Sequence, residues 1–117
     1  MKIYEIRDIL KAEVLAGKEH LDRTVVGGGG ADLMGDVLSA VAEGAVLLTG
    51  LLDESVLRTT KIAGVACIVF VRGKKPNADF LQQAQSFGLP VLSTRYSLFV
   101  ASGRLYMNGL RGLDGSW

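Results

Sequence analysis

The sequence predicts a single α/β domain of three layers, in which helices cover both faces of a mixed, mainly parallel sheet. From residue 45 onward, apolar runs typical of strands alternate with amphipathic segments typical of helices, a pattern that favours parallel strands joined by right-handed crossovers. The chain has 117 residues, of which 49% are hydrophobic and 21% charged, and this suits one compact core. We therefore expect one domain over residues 1–110, followed by a glycine-rich tail over residues 111–117.

The N-terminal part has a less regular pattern. Isoleucine and leucine recur at helical spacing between residues 3 and 10, which predicts a short amphipathic helix. Residues 12–16 are typical of a short strand that turns at Gly17, so that residues 22–27 return beside it as the second strand of a hairpin-like unit. The four glycines at residues 27–30 predict a wide turn or bulge with positive φ, because glycine adopts that conformation readily.

After these glycines, helices and strands alternate regularly. Continuous β-branched and aromatic content over residues 65–71 predicts a strand buried on both faces, and hence the centre of the sheet. The predicted order is a helix over residues 33–42 with Asp32 as N-cap, a strand over 45–50, a helix beginning at Asp53, the strand over 65–71, a helix beginning at Asn77 or Asp79 and ending at Gly88, a strand over 89–94 and a helix over 96–106.

Composition argues against several classes of function. A net charge of +1 and a pI of about 7.9 provide no basic field for nucleic acid or anionic lipid. The apolar runs are far shorter than the about 20 residues needed to cross a bilayer, and no signal segment opens the chain, so we expect a soluble, cytoplasmic protein with no membrane partner. The lone Cys67 and the lone His20 offer neither a disulfide nor a zinc site, and we expect no cofactor.

The glycine-rich stretch does not match the standard phosphate-binding loops. Gly30 and Gly35 have the separation of a Walker A loop, but Asp36 and Val37 occupy the positions of its lysine and its serine or threonine. The third glycine of the dinucleotide-binding pattern would fall on Asp32 when counted from residue 27. Asp32 and Asp36 would share a helix face, as paired carboxylates for metal or acid–base work do, but capping by Asp32 explains the pattern more simply.

A second candidate site lies at the carboxyl ends of the predicted strands. In open α/β sheets, ligands bind outside these ends, where this sequence places hydroxyls, small residues and two guanidiniums. The residues are Thr49, Gly50, Arg72, Gly73, Ser93, Thr94 and Arg95. The two arginines suit a small anion or a phosphorylated metabolite, which they can bind through paired hydrogen bonds. The alternative is that these are ordinary solvated loop ends.

The chain resembles the DRTGG domain family. The motif that names the family appears here as Asp22-Arg23-Thr24-Val25-Val26-Gly27-Gly28, with two valines before the glycines. The segments ADLMGDVL, AVLLTGL, CIVFVRGKKP and GLPVLST are similar to later parts of the family pattern. The resemblance covers most of residues 3–110 and implies an α/β fold similar to the N-terminal domain of HPr kinase/phosphorylase.

The resemblance implies a regulatory or dimer-forming role. Members of the family occur beside CBS domains in regulated inorganic pyrophosphatases and in phosphotransacetylase-type proteins. No catalytic residue is established for the family, so none is assigned in this chain. A structural role is assigned to Asp22, Arg23, Thr24, Gly27, Gly28, Asp32 and Asp36. Arg23 is expected to fix the glycine turn through an ion pair with Asp32 or Asp36.

The leading hypothesis is a non-catalytic regulatory or interaction domain that forms a homodimer and senses a small anionic or nucleotide-like ligand, or docks on a partner enzyme. Two alternatives remain open. One is a small metal-dependent phosphoryl-transfer or phosphohydrolase subunit that uses Asp32 or Asp36 together with Arg72 and Arg95. The other is a purely structural adaptor whose tail, over residues 108–117, engages another protein.

Overall fold

The computed structural model describes residues 1–36 and 43–113. Four helices and five strands in this part of the chain carry the argument below. The helices are α1 (Ile3–Leu10), α2 (Ser55–Ala63), α3 (Ala78–Ser86) and α4 (Leu98–Met107), and the strands are β1 (Glu13–Ala16), β2 (Gly28–Gly30), β3 (Val46–Thr49), β4 (Cys67–Phe70) and β5 (Val91–Ser93). A single 3-10 turn, Lys18–His20, follows β1.

The five strands form one sheet in the order β1-β5-β4-β3-β2. The pairs β2–β3, β3–β4 and β4–β5 are parallel, and β1 runs antiparallel to β5. The prediction of a mixed, mainly parallel sheet is therefore confirmed. The strand predicted at residues 65–71 is the central β4, all of whose residues are buried.

Helices cover both faces of the sheet, which confirms the three-layer architecture. On one face, α1 and α4 pack against β3, β4 and β5 through buried side chains such as Ile6, Leu105 and Val69. On the other face, α2 and α3 pack against β1, β4 and β5 through residues such as Val56 and Phe80. Burial of these apolar side chains is the main favourable contribution to folding.

Local capping explains where several helices begin. The side-chain oxygen of Asn77 accepts a hydrogen bond from the N–H of Phe80 at 2.9 Å, and α3 starts at the next residue. Ser97 caps α4 in the same way, through the N–H of Val100 at 3.2 Å. The Asp53 carboxylate accepts from the N–H of Ser55, the first residue of α2. These bonds satisfy amides that have no partner within the helix.

The predicted N-terminal hairpin is wrong. β1 pairs with β5 at the far end of the chain, and residues 22–27 form no strand. Gly17, at a φ of 75°, turns the chain into the 3-10 turn and away from β1. Thr24 instead makes an isolated antiparallel bridge with Lys2, before α1. Pairing with β1 covers the edge of β5 that β4 leaves free, and a partner this far along the chain is not indicated by the local pattern around residues 12–27.

The predicted positive-φ turn at residues 27–30 is also wrong. Gly28–Gly30 form the extended edge strand β2, parallel to β3. Glycine leaves room at these positions for three leucine side chains. A Cβ atom on Gly27 would lie 2.5 Å from Cγ of Leu113, and one on Gly30 would lie 2.9 Å from Cδ1 of Leu98. At Gly28 the corresponding neighbour is Leu110, at 3.0 Å.

Two predicted segments lie partly outside the described residues. They are the helix over residues 33–42, beyond residue 36, and the tail over residues 111–117, beyond residue 113. The first part of the tail lies on the domain itself, since the Arg111 carbonyl accepts a hydrogen bond from the N–H of Gly28 at 3.0 Å. In the described part of the chain, no helix is long and apolar enough to cross a membrane.

Candidate functional site

The Asp-Arg-Thr segment lies at the amino end of the parallel strands. Arg23 donates from Nη1 to the carbonyl of Ala66 at 3.2 Å and from Nη2 to the carbonyl of Gly88 at 3.1 Å. Its own carbonyl accepts from the N–H of Ile3 at 3.1 Å. Arg23 therefore joins the start of α1, the entry to β4 and the end of α3, while the side chains of Asp22 and Thr24 are exposed.

The predicted ion pair between Arg23 and Asp32 is wrong. The Asp32 carboxylate lies at the opposite end of the strands, where its Oδ1 accepts from the N–H of Gly50 at 2.8 Å and from the Thr49 hydroxyl at 3.2 Å. The guanidinium is satisfied by main-chain carbonyls instead of a carboxylate. Asp36 follows Asp32 in the same segment and is exposed.

The predicted ligand residues do meet at the carboxyl end of the sheet, because β3, β4 and β5 are neighbours. Arg72 lies against Gly50, since a Cβ atom on Gly50 would be 2.6 Å from Nη2 of Arg72. The main-chain N–H of Arg72 donates to the Tyr96 carbonyl, and that of Gly73 to the Thr94 carbonyl, each at 2.8 Å. These bonds fix Arg72 in a left-handed conformation with a φ of 56°.

The hydroxyls of this edge are buried and engaged in internal bonds. Ser93 donates to the Lys74 carbonyl and Thr94 to the Leu10 carbonyl, each at 2.7 Å, and Thr49 donates to Asp32. They hold the loops and the end of α1 in place. Of the seven predicted residues, Arg72 and Arg95 are the exposed ones with charged side chains. Ligand binding by the seven predicted residues stays a prediction.

A cavity at the edge of the sheet was missed by the sequence analysis. It has a volume of about 190 Å³ and lies between β2, α4 and residues 110–112; we call it the β2 cavity. Its walls are mostly apolar and include Leu48, Leu105 and Leu110, with Ser102 and Arg111 contributing polar groups. No motif signals it, because it is assembled from three distant segments.

Arg111 closes one side of the β2 cavity. Its guanidinium carbon lies 4.0 Å from the centre of the Tyr106 ring, a cation–π contact. Its Nη1 donates to the carbonyls of Tyr106 and Leu110, at 2.7 and 3.1 Å. These contacts hold a positive charge beside an otherwise apolar space.

The outer surface of α4 is apolar. Phe99 is 88% exposed and Met107 is 86% exposed, and both lie on the same side as Gly103, which is four residues from each. A Cβ atom on Gly103 would meet nothing within 4 Å. We call these three residues the α4 stripe. The sequence held a signal for it, because Leu98, Ala101 and Leu105 already supply the buried side of the helix.

Two observations concern the metal-ligating and thiol side chains of the described residues. Among them, no group of three or more histidine, cysteine, aspartate or glutamate side chains could hold a metal ion. Burial raises the pKa of the Cys67 thiol to about 12, so this thiol stays protonated at neutral pH and is a poor nucleophile. Cys67 lies at the start of β4 as a fully buried core residue.

One solved structure with a similar fold comes from a regulated enzyme. It contains the CBS and DRTGG domains of the regulatory region of Clostridium perfringens pyrophosphatase, complexed with the activator diadenosine tetraphosphate, and it matches with a TM-score of 0.74. The identity is 18%, and the match covers 89% of this chain but 45% of the other. This likeness shows the fold, and this chain spans less than half of the other.

Comparison with curated proteins gives no match. The family comparison is clear, since the model of the DRTGG domain matches residues 5–107, nearly the whole chain. The matched range includes the Asp-Arg-Thr segment at the amino end of the sheet, the glycine strand β2 and all of α4. With its α/β fold and this match, the chain belongs to the DRTGG domain family.

Proposed function

We propose that this chain is a non-catalytic regulatory domain that forms a homodimer through α4 and senses a small ligand. The observation that carries the proposal is the α4 stripe, which presents two large, almost fully exposed apolar side chains, Phe99 and Met107, around the open position of Gly103. Side chains this apolar and this exposed on one helix mark an interaction surface.

A second copy of the chain fits this surface by symmetry. A two-fold interface brings the same patch of both subunits together, so the patch must be complementary to itself. If two α4 helices cross in antiparallel fashion at Gly103, Phe99 of one copy lies over Met107 of the second, because each is four residues from the crossing point. Gly103 lets the helices approach, and contacts between methionine sulfur and an aromatic ring are favourable.

The neighbouring surface extends the patch. Val100 and Tyr106 on the same helix are 40% and 46% exposed. Together with the α4 stripe they supply an apolar core for an interface of the usual size, about 800 Å² per partner. Arg104 lies over the Tyr96 ring, with its guanidinium carbon 4.3 Å from the ring centre, so this charge is drawn toward its own domain.

Two further observations support a regulatory role without catalysis. The polar side chains at the carboxyl end of the sheet are engaged in building loops, as shown by Asp32, Ser93 and Thr94. The pyrophosphatase whose CBS and DRTGG domains share this fold carries them in a regulatory region that was crystallised with a nucleotide activator. Regulation by a bound small molecule is therefore the function we assign to this chain.

The mass of the protein in solution tests the proposal. We expect twice the chain mass of 12.5 kDa for the wild type, and a monomer for Phe99→Glu, because a carboxylate would be buried without a partner at the interface. The matched control is Ile62→Glu, since Ile62 is also a helical residue, 69% exposed, but on α2 at the opposite face. A wild-type monomer, or a Phe99→Glu dimer of unchanged stability, would overturn the proposed interface.

A further inference from the structure

The β2 cavity lies on the side of the sheet that α4 covers. A Cβ atom on Gly28 would lie 3.0 Å from Cδ2 of Leu110, and one on Gly30 would lie 2.9 Å from Cδ1 of Leu98, so both positions face this side. The main chain of β2 forms the floor of the cavity, and leucines of β3, of α4 and of the segment after α4 form its walls. Because the floor is glycine, no side chain of β2 enters this space.

The size of the cavity suits one ring or a short branched chain. Its volume is about 190 Å³, slightly larger than the roughly 150 Å³ cavity known to hold benzene, and smaller than the roughly 300–1,000 Å³ pockets that enclose drug-sized ligands. Ser102 and Tyr106 line it and are exposed, so a small molecule can enter from solvent. The apolar walls favour a molecule with an apolar body.

Arg111 adds a positive charge to this lining. Among the described residues that line the cavity, it is the only charged one, and residues 80–113, which include all of α4, contain no aspartate or glutamate. The guanidinium lies on the Tyr106 ring, and its Nη1 donates to the carbonyls of Tyr106 and Leu110. A positive charge is thus fixed at the cavity with no carboxylate among the described lining residues.

The other edge of this guanidinium is open. Within residues 1–36 and 43–113, Nε and Nη2 of Arg111 take part in no hydrogen bond or ion pair with another residue. These two nitrogens lie on one edge of the planar group, and their N–H groups form a fork that matches a carboxylate through two parallel hydrogen bonds. Because the ring and the two carbonyls already hold the guanidinium, little side-chain freedom is lost when a ligand binds.

We propose that the β2 cavity binds a small apolar carboxylate, such as an aromatic or branched-chain acid. The apolar body lies between the leucines, and the carboxylate accepts two hydrogen bonds from Nε and Nη2 of Arg111. A phosphate monoester fits less well, because it brings a third oxygen and nearly two negative charges to a mostly apolar site with one cation. The inference rests on the proposed ligand-sensing function and names its ligand class.

Calorimetric titration of the full chain with four probes tests the inference: phenylacetate, phenylacetamide, acetate and phenyl phosphate. We expect phenylacetate to bind. Phenylacetamide has the same shape without the charge, and acetate has the charge without the ring, so each should bind at least about tenfold more weakly. Phenyl phosphate should also bind more weakly than phenylacetate. No binding of phenylacetate, or binding of any other probe as tight as that of phenylacetate, overturns the inference.

Two arginines in similar settings provide matched variants. Arg111→Lys keeps the charge but removes the planar fork, so it should weaken phenylacetate binding by about tenfold or more. The control is Arg104→Lys, since Arg104 also lies over a tyrosine ring, that of Tyr96 at 4.3 Å, but is not among the residues that line the cavity. Unchanged binding by Arg111→Lys, or an equal loss in both variants, would contradict the assigned fork and overturn the inference.

A second variant tests the apolar space and leaves Arg111 in place. Ser102 lines the cavity from α4 and is exposed, so Ser102→Leu fills the space without removing a core contact and should weaken phenylacetate binding by about tenfold or more. The control is Ser86→Leu, at an exposed position of α3 on the opposite face. A Ser102→Leu variant that binds phenylacetate like the wild type would place the ligand elsewhere and overturn the inference.

The mass of each protein in solution is measured in parallel, because it separates this inference from the proposed dimer. A dimer that fails to bind phenylacetate leaves the α4 interface standing and removes the carboxylate site. A monomer that binds phenylacetate with the expected preferences removes the interface and leaves the carboxylate site standing.

Discussion

The Asp32 carboxylate accepts a hydrogen bond from the main-chain N–H of Gly50, at 2.8 Å, beyond the carboxyl end of β3. The same oxygen accepts the Thr49 hydroxyl, which is fully buried, at 3.2 Å. One side chain from the segment after β2 thus closes the loop after β3. Asp32, predicted as the N-cap of a helix that extends beyond the described residues, thus also joins the segment after β2 to the loop after β3. The capping role stays a prediction.

Replacing Asp32 with alanine should lower the free energy of unfolding by about 1 kcal/mol, because the Gly50 amide and the Thr49 hydroxyl lose their acceptor. Asp32→Asn keeps Oδ1 and should lose less than half of that. Asp22→Ala serves as the control, since Asp22 is an exposed loop aspartate and its change should stay within about 0.5 kcal/mol. Urea unfolding measures all three, and equal losses for Asp22→Ala and Asp32→Ala would contradict the assigned role.

Replacing Arg23 with alanine should cost more, about 1–3 kcal/mol, because it leaves the partly buried carbonyls of Ala66 and Gly88 without donors. Arg23→Lys should recover part of the loss, since an ammonium is a compact donor that cannot span both carbonyls as a planar guanidinium does. The mass in solution should not change, because Arg23 lies away from α4. A Lys variant as stable as the wild type would show that a single carbonyl contact suffices.

The regular part of the fold was predictable because its signals are local. The buried runs that became β3 and β4, and the Asn77 cap of α3, each depend on a few consecutive residues. Glycine has a low propensity for strands, so the glycines of β2 give no local signal. Their extended conformation follows from pairing with β3 and from packing beside Leu98, Leu110 and Leu113. The pairing of β1 with β5 joins residues such as Glu13 and Ser93, a separation at which sequence pattern gives no guidance.

The candidate sites were also predictable only where their signals are local in the sequence. Ligands in open α/β sheets bind at the carboxyl ends of the strands, and this rule correctly predicted that Arg72 and Arg95 follow neighbouring strands at one edge. It could not predict that the hydroxyls of Ser93 and Thr94 donate to carbonyls within the domain. The β2 cavity needs β2, α4 and the segment around Arg111 to be placed together. The α4 stripe was indicated in the sequence, because α4 has more apolar residues than its buried side requires.

Two glycines with positive φ should respond differently to alanine. Gly17 and Gly73 have φ values of 75° and 69°, so alanine strains both by about 1–2 kcal/mol. At Gly17 the added Cβ would also lie 2.6 Å from the Pro90 Cα, whereas at Gly73 nothing lies within 4 Å. Gly17→Ala should therefore destabilise clearly more than Gly73→Ala in thermal or urea unfolding. Equal losses would mean that the backbone near Pro90 moves aside at no cost.

Cys67 should make the domain less stable at alkaline pH. Burial raises the pKa of its thiol to about 12 in the folded protein, against an ordinary value of 9.0. Between these two values the unfolded chain loses the thiol proton while the folded chain keeps it, so the unfolded state binds fewer protons and the free energy of unfolding falls as pH rises, by up to about 1.4 kcal/mol per pH unit. Below pH 9 the thiol is protonated in both states and contributes no slope.

Other groups titrate in this range, so the measurement is the difference between the wild type and Cys67→Ala in urea unfolding from pH 7 to pH 10.5. Cys67→Ala should be less stable at pH 7 because it leaves a small cavity in β4, and that deficit should shrink above pH 9. A constant deficit across the whole range would show that the folded protein tolerates the thiolate at this position.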